Sequence, residues 1–397
     1  MLKMDGKYPS KRRRHRFLYR LAHILAPLTL RGFSFRTDVL KKTDENYIVM
    51  SNHLTEKDLN IMLAAFSEPM YFVAGEHLTR SKNGPFLTWA EDPVYEFKGA
   101  VALDTVREIV RRVKAGNNVI IFPEGSRSFS GETEKLPVSS AKLVKMAGCA
   151  LVTYHIEGGY FVAPRWAYTE RKGPMTGRVV NVYTKEQVAS MSVEELTDAI
   201  NRDIYENAYD TQRRNMYRYR GERLAEGLEN YLVKCPVCGQ YDTLRTQDDR
   251  FECVSCGLKG IYTEEGFLKG EGLPYDSVYD WGTWAEEETL SLVRASEEGS
   301  LVFHDSGIKV YEISQDHVQT DLAEGEIEGY TDRIEAAGMV FPLKDIPAMD
   351  MLYFGKTLLF TYEGRHYGIT GEAFHAIKYQ KIYDVLKEKH MKKKKGS

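Results

Sequence analysis

The sequence predicts an α/β domain with a mostly parallel sheet flanked by helices, followed by a small zinc ribbon and a β-rich C-terminal domain closed by a helix. Three observations carry this. Between Tyr47 and Ile156, short apolar runs alternate with segments of helical apolar spacing. Two Cys-x-x-Cys pairs begin at Cys235 and Cys253. Beyond Gly260, short alternating segments dominate until helical spacing returns at Tyr379. A chain of 397 residues is long enough for two or three cores.

Residues 11 to 31 combine a basic cluster (Lys11, Arg12, Arg13, Arg14, Arg16) with Phe17, Leu18, Leu21, Ile24, Leu25 and Leu28 at spacings of three and four. This predicts an amphipathic helix, which Pro27 shortens or bends. Two readings stand: an anchor on an anionic membrane surface, or a core-facing helix with a solvated basic edge. The first 42 residues hold twelve Lys or Arg against two Asp, whereas residues 263 to 340 hold nineteen acids against four bases. The acidic later region, and the few basic or aromatic residues beside the cysteines, predict no nucleic-acid partner. The apolar run Phe17 to Leu30 is too short and too charged to span a bilayer or to serve as a secretory signal. These features predict a cytoplasmic protein, peripheral at the inner face of the cell membrane.

Strands are expected at Tyr47–Met50, Met70–Ala74, Val119–Phe122 and Leu151–Ile156, with helices over Leu59–Phe66, from Leu103 to a stop at Gly116, and after Pro137. Ligands of such sheets gather beyond the carboxyl ends of the strands. Asn52-His53, Pro123 to Arg127 and Gly158-Gly159 all fall there. Ser192-Val-Glu-Glu195 is a capping box opening a helix expected to run through Arg213, Arg214, Arg218, Arg220 and Arg223 toward Leu232. Cys235-Pro-Val-Cys238-Gly and Cys253-Val-Ser-Cys256-Gly are two knuckles fourteen residues apart, the pattern of a structural zinc site with four thiolate ligands. A redox pair would need only one such motif. Cys149 reads as a small buried hydrophobe. Strands are expected at Leu301–Phe303, from Gly307 to Glu312, from Gly338 to Phe341, and in a hairpin from Lys356 to Thr370 turning at Glu363-Gly364. The lysine-rich tail from Met391 is expected to be disordered.

His53 stands five residues before Asp58 at a strand end, which suggests a general base and its orienting acid. Thr55-Glu-Lys-Asp58 also fits a helix N-terminus, and the two readings are compatible. Glu124, Ser126 and Arg127 place a polar loop with one cation beside the pair, suited to an anionic substrate. With no Gly-x-Ser-x-Gly and no cysteine at this edge, direct transfer is favoured over a covalent intermediate. His155 has no acid at the spacing that pairs Asp58 with His53, and reads as structural.

Asn52-His53-x4-Asp58 together with Phe122-Pro-Glu124-Gly125-Ser-Arg127-Ser128 resembles the glycerophospholipid acyltransferase family, specifically the 1-acylglycerol-3-phosphate (lysophospholipid) acyltransferases. The resemblance covers residues 15 to 210. It implies that His53 takes a proton from an acceptor hydroxyl, which attacks the thioester of acyl-CoA or acyl-carrier protein. Asp58 orients His53, and Glu124, Gly125 and Arg127 hold the acceptor phosphate. Where that family usually has an arginine, this chain reads Glu96-Phe97-Lys98-Gly99, so Lys98 becomes the candidate substitute cation. The strand from Leu151 carries Thr153 and lacks the family's proline beside valine.

The implied layout is a membrane-associating segment over 1–42, an acyltransferase domain over 43–225, a zinc ribbon over 226–262, a β-rich domain over 263–390 and a tail over 391–397. The β-rich region loosely resembles a pleckstrin-homology-like fold, with lipid binding and protein contact as alternative roles. The alternative for the whole chain is a lipid-binding or adaptor protein with little or no catalysis.

Overall fold

A computed structural model describes residues 8–40 and 43–395, with side chains for 12–40 and 43–389; Gly396 and Ser397, the end of the expected tail, lie outside the described residues. The chain forms two compact units. One comprises the described residues up to Glu96 with Ala102–Arg165 and Glu170–Gly221; the other comprises Phe97–Val101, Trp166–Thr169 and the residues from Glu222 onward.

In the first unit the elements run α1 (Tyr8–Thr29), β1 (Arg36–Thr37), β2 (Tyr47–Ser51), α2 (Asp58–Ala65), β3 (Met70–Gly75), α3 (Gly84–Glu91), β4 (Val94–Glu96), α4 (Leu103–Lys114), β5 (Asn118–Ile121), α5 (Ser139–Ala147), β6 (Ala150–Glu157), the single turn α6 (Gly159–Val162), β7 (Thr176–Tyr183), α7 (Lys185–Ser190), α8 (Val193–Ile204) and α9 (Ala208–Asn215). The sheet order is β1-β7-β6-β2-β5-β3-β4. β6, β2, β5, β3 and β4 are parallel, and β7 runs antiparallel to β6. β2 and β5 are buried at every position, so their sequences are continuous apolar runs rather than alternations. Ile48, Met50, Ile121, Val144, Leu151, Leu196 and Ile200 form the core on one face.

The four expected strands and the helices between them are present. β4, α3 and β7 were not expected: β4 is three residues long, and β7 alternates too weakly to read as a strand. Ser192 and Glu195 form their capping box, Ser192 Oγ accepting from Glu195 N at 3.1 Å and Glu195 Oε2 from Ser192 N at 2.7 Å. The helix expected to continue to Leu232 instead breaks twice, at Tyr205 and at Met216, which takes φ 48°. Arg218, Arg220 and Arg223 therefore lie outside helix; Arg220 pairs its backbone with Lys172. Cys149 is buried, and burial pushes its thiol up to about 11.

α1 is inverted relative to a core-facing amphipathic helix. Its inward face is His15, Tyr19, His23 and Ala26: His15 stacks on Tyr71 at 4.1 Å, Tyr19 Oη donates to Phe66 O at 3.0 Å, and His23 Nδ1 meets Leu63 O at 2.6 Å. The apolar stripe faces outward, with Phe17 68% and Ile24 69% exposed and Leu21, Leu25 and Leu28 about half exposed. On α3, Phe86 and Trp89 are also exposed, and the Arg14 guanidinium lies 4.7 Å over Trp89. The helix thus packs on the first unit through its His15, Tyr19 and Ala26 face and leaves the apolar stripe exposed. Among the described residues, no helix is long and apolar enough to cross a membrane.

In the second unit, β8 (Leu244–Gln247), β9 (Arg250–Cys253), β10 (Lys259–Tyr262) and β11 (Leu268–Lys269) form an antiparallel sheet in order β11-β10-β9-β8. An unexpected helix, α10 (Val278–Ala295), follows; it buries Val278, Trp281, Ala285 and Val293, a spacing masked in the sequence by Gly282 and three successive glutamates. β12 (Leu301–Ile313), β13 (Gln319–Tyr330), β14 (Arg333–Ala336), β15 (Met339–Pro342), β16 (Met349–Leu352), β17 (Thr357–Tyr362) and β18 (Arg365–Gly371) form a second antiparallel sheet, order β15-β14-β13-β12-β18-β17-β16, closed by α11 (Ala376–Lys395). The two short strands expected at 301 and 307 are one strand with a bulge near Gly307. The hairpin turns at Glu363 and Gly364, both at positive φ, as expected. α11 continues through Lys395, so the first residues of the expected disordered tail are helical, as lysine permits.

The ribbon and the β-rich region form one unit rather than two. Asp242, between the cysteine pairs, accepts from His375 Nδ1 at 2.7 Å and Lys378 Nζ at 2.5 Å, while Lys378 also reaches Asp305 at 2.9 Å. Lys378 is buried, so its charge must be paired where it stands.

Candidate active site

β2 delivers the chain to the carboxyl edge of the sheet, where Asn52 pins it. Asn52 Nδ2 donates to Ile156 O and its Oδ1 accepts from Ile156 N, both at 2.8 Å, which replaces a strand bond by a side chain. The next residue is His53. Its Nδ1 lies 2.7 Å from Asp58 Oδ2, with Asp58 buried and His53 partly open to solvent. The same carboxylate oxygen accepts from Leu54 N at 2.9 Å and Thr55 N at 3.2 Å. A carboxylate on Nδ1 fixes the Nδ1–H tautomer and leaves Nε2 as the proton acceptor. The imidazole also stacks on Phe122, with centroids 4.4 Å apart.

The capping reading holds in altered form. Asp58 Oδ2 accepts from Thr55 N, as a capping box requires, but Thr55 Oγ1 accepts from Lys57 N at 3.4 Å and the helix starts at Asp58. Asp58 therefore serves both the turn and the imidazole.

The loop after β5 supplies three more expected residues. Gly125 has φ 76° and closes a turn, its N–H donating to Phe122 O at 2.9 Å. That reversal needs a residue without a Cβ. Glu124, expected to hold phosphate, is committed to the backbone: Oε1 accepts from His53 N at 2.7 Å and Oε2 from Glu134 N at 3.3 Å. Burial pushes its carboxyl from the ordinary 4.5 up to about 8, against the opposing pull of those two N–H donors. Glu124 thus ties the loop after β5 to the backbone of His53. Arg127 donates from Nη1 to Ala163 O at 3.1 Å and from Nη2 to Glu56 Oε1 at 3.0 Å. Ser128 N donates to His53 O at 3.3 Å, so this loop and the His53 turn are hydrogen-bonded neighbours.

Lys98 belongs to the second unit, where its Nζ lies 3.9 Å from Asp350. The reason is local anchoring: Phe97 stacks on His366 at 4.3 Å, and Thr361 Oγ1 donates to Gly99 O at 3.0 Å. A Cβ on Gly99, which has φ 71°, would sit 2.3 Å from Leu359 O. Thr153 is likewise structural, donating to Asp203 Oδ2 at 2.9 Å, an acceptor shared with Asn181 and Tyr183. His155 is buried and, contrary to its sequence spacing, has acidic neighbours: Nε2 lies 3.0 Å from Glu206 and Nδ1 3.5 Å from Glu157. Glu206 is too distant in sequence for any spacing to reveal it.

The four ribbon cysteines are free thiols. Cys235 Sγ and Cys256 Sγ are 3.8 Å apart, as are Cys238 Sγ and Cys253 Sγ, and all four lie within 4.8 Å of one another. Tetrahedral coordination with metal–sulfur bonds of about 2.3 Å puts sulfurs about 3.8 Å apart, so this donor set fits a zinc-sized ion.

Residues 33–157 match the acyltransferase family model, a span that includes His53, Asp58, Glu124 and Arg127. Among solved structures, the crystal structure of the 1-acyl-sn-glycerophosphate (LPA) acyltransferase PlsC from Thermotoga maritima is similar at 19% identity, covering 53% of this chain and 84% of that chain with a TM-score of 0.43. No curated protein matches the chain.

Glu124 makes stability pH-dependent with a definite sign. The folded protein keeps this proton to about pH 8, whereas the unfolded chain releases it near 4.5, so the Glu124 contribution falls as pH rises between those values and is level above them. Glu124→Gln removes this term. Its stability relative to wild type should rise by about 2–4 kcal/mol from pH 5 to pH 8 in urea unfolding; parallel profiles would show that the carboxyl ionises normally.

Proposed function

We propose that the protein transfers a fatty acyl group from acyl-CoA or acyl-carrier protein to the free hydroxyl of a lysophospholipid, 1-acylglycerol-3-phosphate foremost, in phospholipid synthesis. The observation that carries this reading is the 2.7 Å His53–Asp58 contact beside the Arg127 loop, inside the span that matches the acyltransferase model.

His53 Nε2 takes the proton of the acceptor hydroxyl, and the oxygen attacks the thioester carbonyl. Asp58 stabilises the imidazolium that forms. As the tetrahedral intermediate collapses, the carbon–sulfur bond breaks and the departing thiolate recovers the proton from His53. Phe122 and the Glu124–His53 backbone bond hold the ring during both transfers. Arg127 binds the acceptor phosphate through its guanidinium.

The outward stripe of α1, with Arg13, Arg16 and Arg20 exposed beside it, supports docking on an anionic membrane surface. That fits substrates and products that both reside in lipid, at the inner face of the cell membrane. The cysteine cluster holds a structural zinc ion, four thiolates leaving no open position for substrate. The β-rich region, with its seven antiparallel strands and closing helix, has the element count of the pleckstrin-homology-like expectation.

Acyl transfer from a labelled thioester to 1-acylglycerol-3-phosphate and other lysolipids should fall about 10²- to 10⁴-fold in His53→Ala; equal rates would leave the adaptor reading in its place. Ile24→Glu with Leu28→Glu should lower co-sedimentation with phosphatidylglycerol-containing vesicles on the order of a hundredfold, since two apolar side chains lose their burial, and undiminished sedimentation would exclude α1 as the anchor. Metal analysis of the purified chain should find one zinc per molecule, absent from a Cys235→Ser, Cys253→Ser variant; a metal-free wild type would refute the ribbon.

A further inference from the structure

We infer that Glu56 is a carboxylate latch on Arg127, occupying the cation in the absence of acceptor and yielding to a headgroup with a terminal phosphomonoester, so that it raises the KM for that acceptor. This rests on the reading of Arg127 given above. Glu56 lies between His53 and Asp58 in the turn that builds the base. Asp58 points inward and is buried, while the Glu56 side chain is 58% exposed with Oε1 3.0 Å from Arg127 Nη2.

The neighbours explain why this pair is exchangeable. One arm of Arg127 is fixed by Ala163 O, and the Arg127 carbonyl accepts from Arg165 Nη1 at 2.9 Å, so backbone contacts place the guanidinium whatever its second arm holds. Lys57, next to Glu56, is engaged by Glu170 at 2.5 Å and lies 5.4 Å from the Phe33 ring centroid. With its carboxylate largely exposed, a pair of this kind is worth only about 1.5- to 5-fold in an equilibrium. A phosphomonoester brings about −1.5 to −2 charges and three acceptor oxygens to the same guanidinium, where a carboxylate brings one charge and two oxygens. The dianion displaces the latch. A headgroup without phosphate gains nothing by doing so, and Glu56 keeps the site neutral toward weaker anions.

Glu56→Gln removes the charge and keeps the shape at an exposed position. In the full-length protein, with 1-acylglycerol-3-phosphate and an uncharged monoacylglycerol as alternative acceptors, the variant should lower KM for the phosphate acceptor about two- to fivefold. That change should sit in KM rather than kcat, shrink at high salt, and leave the monoacylglycerol KM in place. A phosphate-acceptor KM that stays put or rises, or an equal fall for both acceptors, overturns the latch while wild-type turnover leaves the acyltransferase reading standing. A wild type inert toward both acceptors overturns both.

Discussion

One carboxylate oxygen, Asp58 Oδ2, organises the site. It receives the imidazole of His53 and the backbone N–H groups of Leu54 and Thr55, so the turn that follows β2 closes around a single acceptor. All three donors fall on this one oxygen, Oδ1 being buried without a hydrogen-bond partner, and they come from the residues the carboxylate must position. The direction of the His53 ring is therefore not a separate accomplishment of the fold. It follows from satisfying Asp58, with Phe122 supplying the face of the ring.

Two further acids stand beside this machinery and behave oppositely because their surroundings differ. Glu124 is half-buried and spends both oxygens on backbone N–H groups, which ties the loop after β5 to the turn after β2. Burial pushes its carboxyl up to about 8. Glu56 is exposed and faces Arg127 directly. Sheet geometry accounts for their meeting: β2 and β5 are paired in parallel from Ile48–Val119 to Met50–Ile121, and their next residues emerge side by side at one edge.

The same economy of pairing shapes the rest of the chain. α1 buries its histidines and Tyr19 because each finds a carbonyl or a ring on the first unit, and that choice turns the aliphatic residues outward. In the second unit the charged side chain of Lys378 is enclosed between Asp242 and Asp305, an arrangement that joins the ribbon to α11 and makes one body of two expected domains. Phe97 is held by ring stacking in that unit, which places Lys98 beside Asp350.

Residues alone suffice to read the strands from Tyr47 to Ile156, the His53–Asp58 spacing, the polar loop at Glu124 and the four cysteines. These are local signals: apolar runs, short spacings and turn chemistry are written in contiguous residues. Tertiary structure decided what depends on partners far away in the chain. It gave Glu124 to the backbone of His53, Glu206 to His155, Lys98 to Asp350, and the apolar face of α1 to the outside. A periodic pattern identifies a face without saying which side of it is buried, and a charged residue carries no mark of the charge it will meet. Both are settled only when the sheet has brought distant segments to a common edge.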